Sequence, residues 1–230
     1  MNRTKIEWTQ WTWNPITGCK HGCWYCYAKK LTQRFKKIFP NGFEPTFYPK
    51  RLKEPWELKK PSKIFVCSIA DLFAPWTPTE WGYRVFDSML GCSVKHTFQL
   101  LTKNPERIIP FLDGYVHKWR TLPENFWIGT TVSTQDECWR IDELRKVQAK
   151  VRFVSFEPLL GPIDYDLKGI DWVIVGKLTG SRKVKLDMGW VMDISAECSR
   201  LKIPIFLKNN LGLKNPVQEF PRALEGVKSE

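Results

Sequence analysis

The chain has 230 residues, 43% of them hydrophobic, enough for one sizeable core and short for two, so a single domain over 1–230 is expected. No apolar run approaches the roughly 18 residues of a membrane span, and the start Met1-Asn2-Arg3-Thr4-Lys5 leads into a polar, tryptophan-rich segment rather than a signal-peptide core, so a cytoplasmic protein without membrane association is expected. Seven cysteines without a secretion signal read as reduced thiols or metal ligands, not as a disulfide framework.

The formal charge is +12, and residues 1–63 hold fourteen Lys and Arg against four Glu. Such a concentration suits a polyanionic partner such as DNA or RNA, or a solvated basic face.

In chain order, Ile6 to Trp13 alternates apolar and polar residues, which predicts a first strand or extended lead-in, interrupted at Asn14-Pro15. The loop 18–27 follows. Beyond it Tyr27, Leu31, Phe35 and Ile38 recur at helical spacing, with Lys29, Lys30, Arg34, Lys36 and Lys37 on the remaining surface, predicting a basic amphipathic helix. Residues 39–63, rich in proline, basic and aromatic side chains, read as a long loop.

From Ile64 the pattern alternates strand and helix. Buried-strand runs are expected at Ile64–Ile69, Thr97–Thr102, Phe126–Val132, Val151–Phe156, Trp172–Val175 and Ile203–Leu207. Helix starts are marked by a capping box at Thr77-Pro78-Thr79-Glu80 and by Asn104-Pro105 and Asp187. Cys138 and Cys198 fall on apolar helix faces as small hydrophobes. This is the α/β alternation of a parallel sheet: six to seven strands, short of the eight of a closed TIM-like barrel, giving either a partial, open barrel or a flat doubly wound sheet. The tail 211–230 is expected to be irregular.

Chemistry points to Gly18-Cys19-Lys20-His21-Gly22-Cys23-Trp24-Tyr25-Cys26-Tyr27. Three thiolates at C-x3-C-x2-C spacing can converge on one metal centre: Cys19, Cys23 and Cys26 on a 4Fe-4S cluster with one iron open, or a Cys3His zinc knuckle with His21 that stabilises a nucleic-acid-binding module without catalysis. Against that second set, His21 reads as a solvated loop residue or one standing behind the ligands. In parallel barrels, chemistry gathers at the carboxyl ends of the strands. Ser68 and Asp71, Lys103, Thr130, Thr131 and Ser133, Ser155 and Glu157, and Lys208, Asn209 and Asn210 occupy those ends. Asp71, Lys103, Glu157 and Lys208 are the candidates for substrate contact or proton transfer.

The cysteine spacing, with aromatic Tyr25 before the last cysteine, resembles the radical S-adenosylmethionine (SAM) superfamily. The resemblance implies a partial barrel with the cluster loop after its first strand, a 4Fe-4S cluster whose fourth iron binds SAM, a reducing electron donor, and a 5'-deoxyadenosyl radical acting on an anionic substrate, nucleic acid or nucleotide foremost. By the same resemblance Tyr25, Ser68, Asp71, Thr130, Ser133 and Ser155 surround the cofactor: Ser68 and Asp71 at the amine, Thr130 or Ser133 at the ribose. More narrowly, Cys26-Tyr27-Ala28, Leu100-Leu101-Thr102-Lys103 and Ser155-Phe156-Glu157-Pro158-Leu159-Leu160-Gly161 look like a phage-associated and bacterial radical-SAM-like family of unassigned reaction. This chain departs from it at Lys177 and Leu178, where glycine and glutamate are usual.

Overall fold

The structure is a computed structural model and describes residues 1–115, 121–179 and 184–222. Its strands are β1 (Asn2–Arg3), β2 (Trp11–Trp13), β3 (Ile16–Thr17), β4 (Thr46–Phe47), β5 (Lys63–Val66), β6 (Thr97–Thr102), β7 (Phe126–Thr131), β8 (Arg152–Phe156), β9 (Trp172–Val175) and β10 (Ile205–Leu207). The helices are α1 (Tyr27–Arg34), α2 (Thr79–Leu90), α3 (Ile108–Gly114), α4 (Trp139–Arg145) and α5 (Met188–Leu201). One eight-stranded sheet runs β1-β2-β5-β6-β7-β8-β9-β10, parallel throughout except for the antiparallel β1–β2 pair. β2 and β10 do not pair, so the sheet is an open, barrel-like α/β arrangement with the expected seven parallel strands.

The runs are apolar at most positions, not at alternate ones, because both faces of the sheet are covered. Ile64, Val66, Phe98, Leu100, Ile128, Val154, Val173 and Val175 pack with the helices. Their alternates Phe65, Trp127, Phe153, Trp172, Ile174 and Phe206 join Trp8 in a separate cluster that fills the inside. Gly129 of β7 is the small residue this interior requires: a Cβ there would lie 2.6 Å from the Phe153 ring. The tail closes the open edge. Leu207 N–H donates to Val217 at 2.7 Å, Glu219 N–H to Ile205 at 2.9 Å, and Trp172 Nε1 to the Glu219 carbonyl at 2.9 Å. The last part of the expected irregular tail, residues 223–230, lies outside the described residues.

Several local expectations shift. The basic helix ends at Arg34, and it buries Ala28 and Thr32, while Tyr27, Phe35 and Ile38 are exposed. Ala28 and Thr32, one turn apart, are small enough to let the helix lie close against the loops beneath, which the ring-bearing face is not. The capping box at Thr77 does not form: Thr77 Oγ1 donates to the Asp71 carbonyl at 2.8 Å, and α2 starts after Pro78 without a side-chain cap. Asp187 does cap α5, accepting from Gly189 N–H at 2.8 Å. The loop 39–63 contains β4, which pairs with β3 over the top of the sheet, and two short 3-10 turns. Cys138 and Cys198 are buried as small hydrophobes. Among the described residues, no helix is long and apolar enough to cross a membrane.

Candidate active site

A cavity of about 560 Å³ opens over the carboxyl ends of the parallel strands. A larger groove of about 1000 Å³ lies at the opposite end, between α5, the amino ends of β8 to β10 and the tail. Its Asp171 is already paired with Arg152, and open parallel sheets take their ligands at the carboxyl ends, so the smaller cavity is the functional candidate.

Asp71 organises this cavity. It is 4% exposed, and its carboxylate accepts from five donors: Phe73 N–H at 3.1 Å and Thr102 Oγ1 at 2.6 Å on Oδ1, and Lys103 N–H at 2.9 Å, Asn104 Nδ2 at 2.9 Å and His21 Nε2 at 2.8 Å on Oδ2. One side chain thereby ties the end of β5 to the end of β6 and to the cysteine loop. Because Asp71 is surrounded by donors, the His21 tautomer that fits carries its proton on Nε2 and presents Nδ1 as an acceptor. The His21 ring is also fixed edge-on by Trp76, with centroids 4.7 Å apart, and its side chain is 17% exposed.

Lys103 leaves the same strand end. Its Nζ donates to Tyr25 Oη at 2.7 Å, and Tyr25 Oη sits 3.3 Å from Ser133 Oγ. Burial would draw the Lys103 ammonium down, yet the neighbouring Tyr25 oxygen, with Cys23 and Glu137 farther off, holds it above the usual lysine value. Across the cavity Lys208 Nζ pairs with Glu157 Oε1. The pair lies over Gly176, where a Cβ would meet Lys208 Cδ at 2.9 Å and Glu157 Cδ at 3.2 Å.

The other expected site residues are placed as follows. Ser68 and Ser155 line the cavity, although Ser68 Oγ is engaged with Asn14 Oδ1 at 3.2 Å. Thr130 is fully buried and donates to the Thr102 carbonyl at 3.0 Å, and Ser133 reaches the cavity only through Tyr25. Lys177 and Leu178 border the mouth, where Asn210 holds Lys177 by bonds of 3.3 and 3.0 Å to its backbone. His21 is the group that sequence reasoning set aside; its signal, a histidine between two flexible glycine turns, becomes informative only once Asp71, fifty residues away, is beside it.

The loop's shape depends on Gly18. It has φ +88°, its N–H donates to Ile69 at 3.0 Å, and a Cβ would lie 2.2 Å from the Glu44 carbonyl oxygen, a backbone atom that cannot yield. Gly22, at φ +69°, faces open space. Gly18→Ala is therefore expected to cost about 3 kcal/mol and Gly22→Ala only about 1 kcal/mol, read as the difference in urea midpoints. Equal losses would mean that the contact with Glu44 does not hold the loop.

The structure does not bear out the metal expectation. Among the described residues, no group of three or more His, Cys, Asp or Glu is arranged to hold a metal ion. The donors are committed elsewhere. Cys26 Sγ caps α1, accepting from Lys29 N–H at 3.4 Å, and His21 Nε2 is held by Asp71. The Cys19 thiol is pushed up to about 12, first by burial, against the His21 backbone N–H that draws it down, and further by Asp71, Cys23 and Cys26. Cys19, Cys23 and Cys26 thus fit neither the 4Fe-4S cluster with bound SAM nor the zinc knuckle. The radical-SAM activity and the zinc-stabilised nucleic-acid module go with them, and so do SAM, a reducing electron donor, and the DNA or RNA that those two readings would have acted on or bound. Cys67, at the end of β5 with φ +56°, is likewise a buried thiol pushed up to about 12 by burial.

A family model described as a protein of unknown function (DUF5131) matches residues 3–225. The chain belongs to the DUF5131 family. This assignment replaces the resemblance to radical-SAM proteins, which rested on the cysteine spacing and short motifs. No curated protein and no solved structure matches this DUF5131 chain.

Proposed function

We propose that the protein binds a small organic molecule in the barrel mouth and transfers a proton to or from it, with His21 carrying the proton and Asp71 positioning it. The observation that carries this reading is the 2.8 Å contact between His21 Nε2 and Asp71 Oδ2 beside a cavity of about 560 Å³, within the range of small-molecule sites. A carboxylate that fixes one imidazole nitrogen leaves the other with a defined lone pair, the arrangement that general acid–base catalysis uses. Lys103, Glu157 and Lys208 are the charged groups proposed to contact the ligand, with Tyr25, Ser68 and Ser155 at its edges; Asp71 itself, with five donors around it, acts through His21. Seven unpaired cysteines support a cytoplasmic setting. A sheet and tail linked by hydrogen bonds from residue 2 to residue 219 support a single domain.

The test is proton exchange. Purified protein is incubated in deuterated water with a panel of organic acids, aldehydes and ketones, and deuterium incorporation is followed by mass spectrometry. At least one compound is expected to gain deuterium with the wild type and to lose that gain, by about 10²-fold or more, with His21→Asn. Exchange equal in both proteins, or in neither, overturns the reading.

A further inference from the structure

We infer that the ligand is an apolar carboxylic acid whose carboxylate is received by Lys103. This inference rests on the mouth of the barrel being a ligand site, and it is carried by the balance of charge and surface inside it. Each acid in the cavity is already engaged: Asp71 by its five donors and Glu157 by Lys208. Lys103 is not matched in the same way. It is half-buried, its Nζ contacts a phenol hydroxyl at 2.7 Å and lies over the same ring at 5.2 Å, and among the described residues no carboxylate forms an ion pair with it. An ammonium withdrawn from water beside a phenol oxygen favours an anion that completes the pair.

Much of the remaining lining is apolar, among polar side chains such as Asn14, Thr131 and Ser155. Trp8, Phe65 and Leu101 rise from the barrel interior, and Leu31, Phe39 and Ile69 close over them from the helix and loop side. Trp8 Nε1 is buried without a partner among the described residues, a further donor in that wall for a ligand oxygen. A ligand with an apolar body and one anionic end matches both surfaces. A carboxylate suits the end better than a phosphate. Phosphates are gripped by several donors at once, commonly at a helix N-terminus, and here a first-turn N–H of α1, that of Lys29, is already bonded to Cys26 Sγ. Asp71 Oδ2 accepts from both His21 Nε2 and the Lys103 backbone N–H, so one carboxylate oxygen ties the His21 loop to the strand end from which Lys103 leaves.

Calorimetric titration of the full chain with naphthalene-1-acetate and with naphthalene-1-acetamide tests this. The two probes share the apolar body and differ in charge. The acid is expected to bind about tenfold or more tightly than the amide. Lys103→Met should abolish the preference, Lys103→Arg should retain it, and Lys37→Met, on the exposed surface after α1, should behave as wild type. Equal binding of acid and amide, an unchanged preference in Lys103→Met, or binding of neither probe overturns the ligand class. His21→Asn is expected to bind the acid normally while losing deuterium exchange, so the two readings fail separately: loss of charge preference with exchange intact removes only the ligand class, and normal acid binding with exchange insensitive to His21 removes only the proton-transfer role.

Discussion

Replacement of Asp71 by alanine is expected to cost about 3–5 kcal/mol of folding stability, one of the two largest losses of any single substitution at or below the site. The cost comes from the donors left behind. The Phe73 and Lys103 backbone N–H groups, the Thr102 hydroxyl and the Asn104 amide all converge on a carboxylate that is 4% exposed, and water cannot reach them all when it is removed. Asp71→Asn keeps the volume but turns an NH2 group towards donors, so it should lose about half as much. The same asparagine should release His21 from its tautomer and reduce proton exchange by about 10³-fold. Urea unfolding with an unchanged slope checks the first effect, and the deuterium assay checks the second. A stability of Asp71→Ala within about 0.5 kcal/mol of wild type would show that the carboxylate does not organise the mouth.

The second large effect is expected at Trp172. This side chain is fully buried inside the barrel, with ring centroids 5.4 to 6.2 Å from Trp8, Trp127, Phe153, Phe206 and Phe220. Truncation to alanine removes the largest part of that cluster and leaves a cavity that rigid neighbouring rings cannot refill, at about 3–5 kcal/mol. It also removes the bond from Nε1 to the Glu219 carbonyl, which holds the tail over β10. Limited proteolysis should therefore begin within residues 211–222 in Trp172→Ala, whereas Trp172→Phe, which keeps most of the ring volume, should lose less stability but free the tail similarly. A resistant tail in both variants would mean that the antiparallel contacts of Leu207 and Glu219 hold it alone.

The two effects differ in how far they could be read from the sequence. Trp172 stands in an uninterrupted apolar run, Trp172 to Val175, and such a run needs cover on both faces; its burial follows from the pattern. The position of Asp71 just past a strand marked it as a site residue, but its role did not follow. Its partners His21, Thr102, Lys103 and Asn104 come from two distant stretches, and hydrogen bonds across such separations leave no periodic trace. The face of α1 was misread for a related reason. Tyr27, Phe35 and Ile38 are apolar at helical spacing, but which face a short helix buries depends on what lies beneath it, and here small Ala28 and Thr32 fit where the rings do not. The cysteines illustrate the limit most clearly. Spacing brings three thiols close along the chain, yet whether they converge is decided by the backbone turns at Gly18 and Gly22, by the helix that recruits Cys26 as its cap, and by the partial burial of Cys19.

By itself, the amino-acid order determined the alternation of strand and helix, the seven parallel strands and the strand ends where polar groups gather, because period and burial on two faces are properties of adjacent residues. Only the tertiary structure decided which of those polar groups meet, that a histidine from the loop rests on Asp71, and that Lys103 meets Tyr25 at the mouth with no carboxylate paired to it among the described residues, because each of these is a contact between segments tens of residues apart, fixed by packing and not by pattern.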